Sequence, residues 1–150
     1  MSSNSNHPYQ SNINAIRKVY TATVTAGANY SDQPLIQAKG KIVYATFLFT
    51  TDANAANRLV QFGVENAGTF FPLGSAKLYQ TANITMRYFC FPGAPVEITG
   101  GDLIRYIPLP DTYSYYREDY IQTDITNIQV GDQLTACYVW SEYQPSPKYV

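Results

Sequence analysis

The chain has 150 residues, with ten Lys and Arg against eleven Asp and Glu, and a formal net charge of −1 at pH 7. That length suits one domain, which at this size buries roughly 68–70% of its unfolded surface, enough for a two-layer core. Charged residues make up only 14% of the chain and tyrosine occurs 14 times, so the surface is nearly neutral and prone to association. Scattered, balanced charges argue against nucleic-acid binding, which needs a basic stripe.

The first 16 residues are rich in Ser, Asn and Gln and contain few apolar side chains. We predict an extended polar arm over residues 1–16, because such a composition cannot form a core. The chain begins without the basic start and apolar stretch of a secretory signal, and no run approaches the ~18 apolar residues of a membrane span. We therefore expect a cytoplasmically made protein with no membrane span.

Strand patterns begin after the arm. Residues 17–25 alternate β-branched and aromatic side chains, and residues 41–51 form the most apolar run, which predicts a buried strand. Residues 58–65 alternate again, and Gly63 within them indicates a β-bulge. The apolar stretch around Pro72 predicts an edge strand, because proline cannot donate to a central ladder.

Both cysteines fall in predicted strands. Residues 83–91 alternate, and their apolar face holds Ile84, Met86, Tyr88 and Cys90. Cys137 lies in a second alternating run further along the chain. We expect both residues to be buried, reduced thiols that act as small hydrophobes, and a disulfide between neighbouring strands is the alternative.

The clearest strand pattern covers residues 127–143, which contain the only tryptophan. Ile128 and Val130 lead into Gly131 and Asp132, two turn-forming residues, so the segment predicts a strand, a turn and a second strand. One face of the second strand would hold Leu134, Ala136, Tyr138 and Trp140. We predict that Trp140 lies in the core between two sheets.

The strand patterns together predict an all-β domain over residues 17–143. About eight strands without helical crossovers are typical of a two-layer antiparallel β-sandwich, here predicted to be jelly-roll-like, with another sandwich topology as the alternative. Residues 144–150 include two prolines and predict an extended tail.

The residues that catalysis or metal binding needs are not clustered. The only histidine, His7, lies in the polar arm, and the two cysteines are far apart in sequence, which argues against zinc or haem. No G-x-S-x-G motif occurs, and His7 cannot be placed beside a structured nucleophile. We expect no enzyme activity, no metal and no cofactor.

Residues 111–120 form the one loop with the composition of a recognition surface. Tyrosine supplies large amphipathic contact area at low entropic cost, and arginine supplies directional hydrogen bonds. The candidate contacts to a partner or a glycan are Tyr113, Tyr115, Tyr116, Arg117 and Tyr120. The alternative is a loop whose tyrosines pack on its own sheet.

The polar arm, the helix-poor β-domain, the proline-containing tail and the low charge with abundant Tyr, Asn and Gln resemble the small β-sandwich structural proteins of virus and phage particles. These include single-jelly-roll capsid subunits, capsid-decorating proteins and fibre or spike heads. The resemblance covers the chain from Ser2 to Val150 in style and includes no motif, so it assigns no functional residue. It implies a virion protein that forms homo-oligomers and contacts other virion proteins. The alternative is a carbohydrate- or receptor-binding β-sandwich that uses residues 111–120.

Overall fold

The computed structural model describes residues 15–33, 39–96, 103–111 and 119–144. In these residues it contains nine β-strands and no helix. The predicted arm and tail lie outside the described residues, apart from Ala15, Ile16 and Gln144, which belong to strands. The strands are β1 (Ala15–Thr23), β2 (Ser31–Asp32), β3 (Lys39–Thr50), β4 (Val60–Asn66), β5 (Thr69–Ser75), β6 (Thr85–Pro92), β7 (Ile104–Leu109), β8 (Tyr120–Ile125) and β9 (Gln133–Gln144).

The strands form two sheets, one with the order β1-β9-β3-β6-β7 and one with the order β2-β8-β4-β5. The prediction of an all-β, two-layer sandwich is confirmed. Antiparallel pairs join β1 to β9, β2 to β8, β3 to β6 and β4 to β5, so the second half of the chain runs back along the first half. The remaining strand, β7, lies at the edge of the five-stranded sheet and pairs in parallel with β6.

The edge strand predicted from Pro72 is confirmed, whereas the bulge predicted at Gly63 lies on the partner strand opposite it. The register between β4 and β5 shifts between Phe62 and Gly63, where β5 contains one extra residue. A Cβ atom at Gly63 would clash with the carbonyl oxygen of Phe71, so only glycine fits this close backbone approach. Pro72 lies in β5, which is an edge strand.

The core lies between the two sheets and is lined by alternate residues of the strands. The predicted apolar face of β6 is confirmed, because Met86, Tyr88 and Cys90 are buried and Ile84 packs against the core. Both Cys90 and Cys137 are buried and free of disulfides. Burial raises the pKa of the Cys137 thiol to about 11 and that of Cys90 still further. Both side chains are therefore neutral thiols at neutral pH.

The connection between β8 and β9 differs from the predicted hairpin. Strand β8 ends at Ile125 and β9 begins at Gln133, and the two strands lie in different sheets. The carboxylate of Asp132 accepts a hydrogen bond from the backbone N–H of Gln129, 2.8 Å away. Because that bond closes a compact turn, Ile128 and Val130 form no strand, and the segment links one sheet to the other.

A buried arginine joins this connection to the one between β3 and β4. Arg58 donates from Nε and Nη2 to the two carboxylate oxygens of Asp132, both at 2.9 Å. Its Nη2 also donates to Oδ1 of Asp52 at 2.7 Å. Its Nη1 donates to the carbonyl oxygens of Asn54 and Ala56 at 2.8 and 2.7 Å. These bonds use all five N–H donors of the guanidinium group.

Both aspartates of this cluster are fixed by further bonds. The backbone N–H of Asp52 donates to Asp132 at 2.8 Å, and the N–H of Gly131 donates to Asp52 at 3.1 Å. Desolvation opposes ionisation of Asp52, but hydrogen bonds from Asn54 and Gly131 and the charge of Arg58 outweigh it and hold the pKa of Asp52 below its ordinary value. The ionised cluster therefore links the ends of β3, β4 and β9.

Replacement of Asp132 by alanine tests this cluster. The change leaves the buried Arg58 charge without its bidentate partner, which should lower the free energy of unfolding by about 3–5 kcal/mol. Urea denaturation measures the loss. The matched control is Asp111→Ala, at an exposed position, which should change stability by less than about 0.5 kcal/mol. Equal free energies of unfolding for the two variants would show that the cluster does not stabilise the fold.

Candidate functional site

Most of the predicted recognition loop, residues 111–120, lies outside the described residues. This applies to Tyr113, Tyr115, Tyr116 and Arg117, whose contact role stays a prediction. Tyr120 is the first residue of β8, where it pairs with Glu65 of β4 and is 39% exposed. Contact between Tyr120 and a partner also stays a prediction.

A second group of aromatic residues covers the outer face of the five-stranded sheet, on the side away from the core. Cross-strand pairing places them side by side on β1, β9, β3, β6 and β7. Sequence reasoning did not identify this group. We term it the outer aromatic face, and its members are Tyr20, Tyr44, Phe89, Phe91, Tyr106, Tyr138 and Trp140.

The rings of the outer aromatic face contact one another across the strands. The centroids of Tyr20 and Tyr138 are 4.4 Å apart, and Trp140 meets Tyr44 edge-on at 5.7 Å. Further along the sheet, Phe89 and Tyr106 stack at 5.9 Å. Aromatic pairs of this kind contribute about 0.5–1.5 kcal/mol beyond the area they bury. The rings therefore form two groups, the Tyr20–Tyr138 pair and a second group in which Tyr44 contacts Trp140, Phe89 and Phe91.

A lysine on the edge strand extends this network. The Nζ atom of Lys18 lies 4.2 Å from the centroid of the Trp140 ring, within the range of a cation–π contact. Lys18 pairs with Trp140 in the register between β1 and β9. The charged end of Lys18 thus lies over the Trp140 ring on the neighbouring strand.

A β-bulge in β9 brings Tyr138 and Trp140 to the outer face and corrects the prediction for Trp140. Thr46 of β3 pairs with Tyr138, whereas Leu48 pairs with Thr135, so β9 contains one extra residue between the pairs. Ala136 takes a positive φ of 50° at this point. The extra residue reverses which side chains face the core. Leu134 is buried before the bulge, and after it the buried residues are Cys137 and Val139 instead of Ala136 and Tyr138. The prediction that Trp140 lies in the core is wrong.

Two of the seven rings are exposed and the other five are half-buried. Tyr20 is 53% exposed and Tyr138 is 42% exposed. Ile16 and Ile104 flank the rings on the same face and are 58% and 39% exposed. Contiguous exposed apolar residues of this kind often mark a site of interaction with another protein.

The described residues hold no metal-binding cluster. Across 15–33, 39–96, 103–111 and 119–144, no three His, Cys, Asp or Glu side chains are grouped so that they could hold a metal ion. In the same part of the chain, no helix has the length and apolar character to cross a membrane. Comparison with known proteins found no matching family model, curated protein or solved structure. We take the outer aromatic face as the candidate functional surface because it exposes Tyr20 and Tyr138 side by side.

Truncation of two β9 side chains tests which face is core. Leu134→Ala removes a side chain with 0% exposure and should cost about 2–5 kcal/mol of unfolding free energy. Trp140→Ala removes the contacts to Tyr44 and Lys18, which together are worth roughly 1–2.5 kcal/mol, and also the burial of a half-buried ring. Thermal or urea unfolding of both variants measures the two losses. A loss for Leu134→Ala no larger than the ~0.5 kcal/mol of a surface substitution would contradict its place in the core.

Proposed function

We propose that this protein is a structural component of a virus or phage particle, and that it acts by self-association and by contact with other virion proteins. The outer aromatic face is the surface through which it associates. The single observation that carries the proposal is the exposure of Tyr20, Tyr138, Ile16 and Ile104 on the sheet face that also holds the other five rings.

The chemistry of this face suits burial against another protein. Aromatic residues are enriched at interfaces, and charged residues are depleted at their centres. The face carries few charges. Lys18 lies on the edge strand, Glu142 and Lys41 pair in the row of Ile16, and Arg87 donates to Thr46 at 3.4 Å. Tyrosine hydroxyls allow hydrogen bonds to a partner without the desolvation cost of a full charge.

The strand order gives further support. The sheet order β1-β9-β3-β6 faces the order β2-β8-β4-β5, and this nested arrangement is that of a jelly roll, with β7 as an addition. Jelly rolls occur in viral capsid proteins and in lectins. Fold alone does not assign function, so the proposal depends on the face and not on the topology.

The lectin-like alternative has its own observation. Tyr120, the first residue of β8, follows the predicted recognition segment in sequence and is 39% exposed. Under this alternative the loop binds a glycan or a host receptor, and the protein acts as an isolated module. The two functions therefore differ in whether the protein must assemble to act.

Replacement of the stacked tyrosine pair tests the association surface. The double variant Tyr20→Ser and Tyr138→Ser removes two exposed rings, so self-association should weaken by at least about tenfold, which corresponds to ~1.4 kcal/mol. The midpoint of thermal unfolding should fall by only a few degrees, because the lost stacking contact is worth about 0.5–1.5 kcal/mol. Sedimentation velocity over a range of concentrations measures association.

The matched control is Tyr79→Ser, because Tyr79 is 56% exposed and lies outside the strands of the face. It should associate like the parent protein. If the double variant also associates like the parent, the outer aromatic face is not the association surface. Glycan binding by a monomeric protein that is lost in Tyr120→Ser would favour the alternative.

A further inference from the structure

Among the described residues, the sandwich has four edge strands, and β1 differs from the other three. Exposed strand edges invite pairing with other chains, and proteins protect them by shortening, bulges, proline or charged side chains. Strand β2 has only two residues. Strand β5 contains Pro72 and an extra residue against β4, and β7 contains Pro108. Strand β1 has nine residues without a proline or a register shift, and its two charged residues are Arg17 and Lys18.

The charged side chain of β1 on the outer face does not block its free edge. Lys18 is directed over the ring of Trp140 on β9, which lies on the paired side of the strand. Among the described residues, β1 pairs only with β9 and ends the sheet. Its backbone groups on the other side are therefore positioned to accept another strand.

We propose that β1 pairs in antiparallel orientation with β1 of a second copy of this chain, across a two-fold axis. The inference deepens the proposed self-association by naming the partner element. A second copy is the natural occupant, because a two-fold interface joins the same unpaired edge on both subunits. The result is a continuous ten-stranded sheet.

The sequence of β1 selects the register of this pairing. Residues that lie opposite each other on paired strands have their side chains on the same face of the sheet. Two copies of one strand related by a two-fold axis meet this condition only when one residue lies opposite its own copy. With Val19 on the axis, all nine residues pair, from Ala15 opposite Thr23 to Lys18 opposite Tyr20. Registers centred on Lys18 or Arg17 would instead place like charges opposite each other, which is destabilising.

The pairing also joins the outer aromatic faces of the two copies. Tyr20 is stacked on Tyr138 in one copy and would lie opposite Lys18 of the other. The combined face then covers roughly twice the area of one copy. The dimer would thus present a larger surface to another virion component than a single copy does.

Cysteine cross-linking tests both the pairing and its register. Ile16 and Ala22 lie on the exposed face of β1 and are opposite each other only when Val19 lies on the axis. A mixture of Ile16→Cys and Ala22→Cys proteins, treated with a short bismaleimide, should give a dimer band at least fivefold stronger than either variant alone. The native Cys90 and Cys137 are buried and should not react. The matched control is Val130→Cys, at an 83% exposed position away from β1.

Each outcome separates the pairing from the proposed function. Cross-linking of the mixture at the Val130→Cys level, in a protein that sediments as an oligomer, would overturn the β1 pairing and leave self-association intact. Equal cross-linking in Ile16→Cys alone would overturn the register centred on Val19. A protein that stays monomeric at all concentrations would overturn both the pairing and the proposed self-association.

Discussion

The buried contact between Arg58 and Asp132 is the constraint on which the rest of the sandwich depends. It joins two connections that pass between the sheets, one from β3 to β4 and the other from β8 to β9. Both side chains have 0% exposure, and a buried charge is tolerated only when its partner and its hydrogen bonds are in place. The cluster therefore holds the two sheets in one relative position at this end.

A neutral polar network supports the same end of the core. Gln80 is fully buried, and its Nε2 donates to the carbonyl oxygens of Phe49 and Ile84 at 2.8 and 2.9 Å. The hydroxyl of Tyr88 donates to Oε1 of Gln80 at 2.8 Å. These bonds fix β3 and β6 beside each other from the core side. Tyr44, Phe89 and Phe91 are next in sequence to buried residues of these two strands. Because successive side chains of a strand point to opposite faces, the three rings lie on the outer face.

Much of the fold could be predicted from the sequence, because strands, Gly63 and Pro72 leave local signals in composition and periodicity. The contact between Arg58 and Asp132 could not, since the two residues are distant in sequence and no motif links them. The outer aromatic face was missed for a related reason. Each strand supplies only one or two of its rings, and Tyr138 and Trp140 join it through a bulge at Ala136, where a non-glycine residue takes a positive φ.

The core and the outer face therefore have different roles in the same sheet. Inward residues such as Leu134 and Val139 are buried against the second sheet, while Tyr138 and Trp140 are left on the opposite side. A sheet that is apolar on both faces is expected in a layer that is covered on both faces. In this account the sandwich covers the inner face, and association covers the outer one.

Fluorescence of Trp140 tests this account most directly, because Trp140 is the only tryptophan and lies on the outer aromatic face. We expect its emission to shift to shorter wavelength and its quenching by iodide to fall at least twofold when the protein associates. The control combines Trp140→Phe with Tyr79→Trp, which should stay equally quenched. Unchanged emission and quenching of Trp140 in protein shown by sedimentation to be associated would contradict the account.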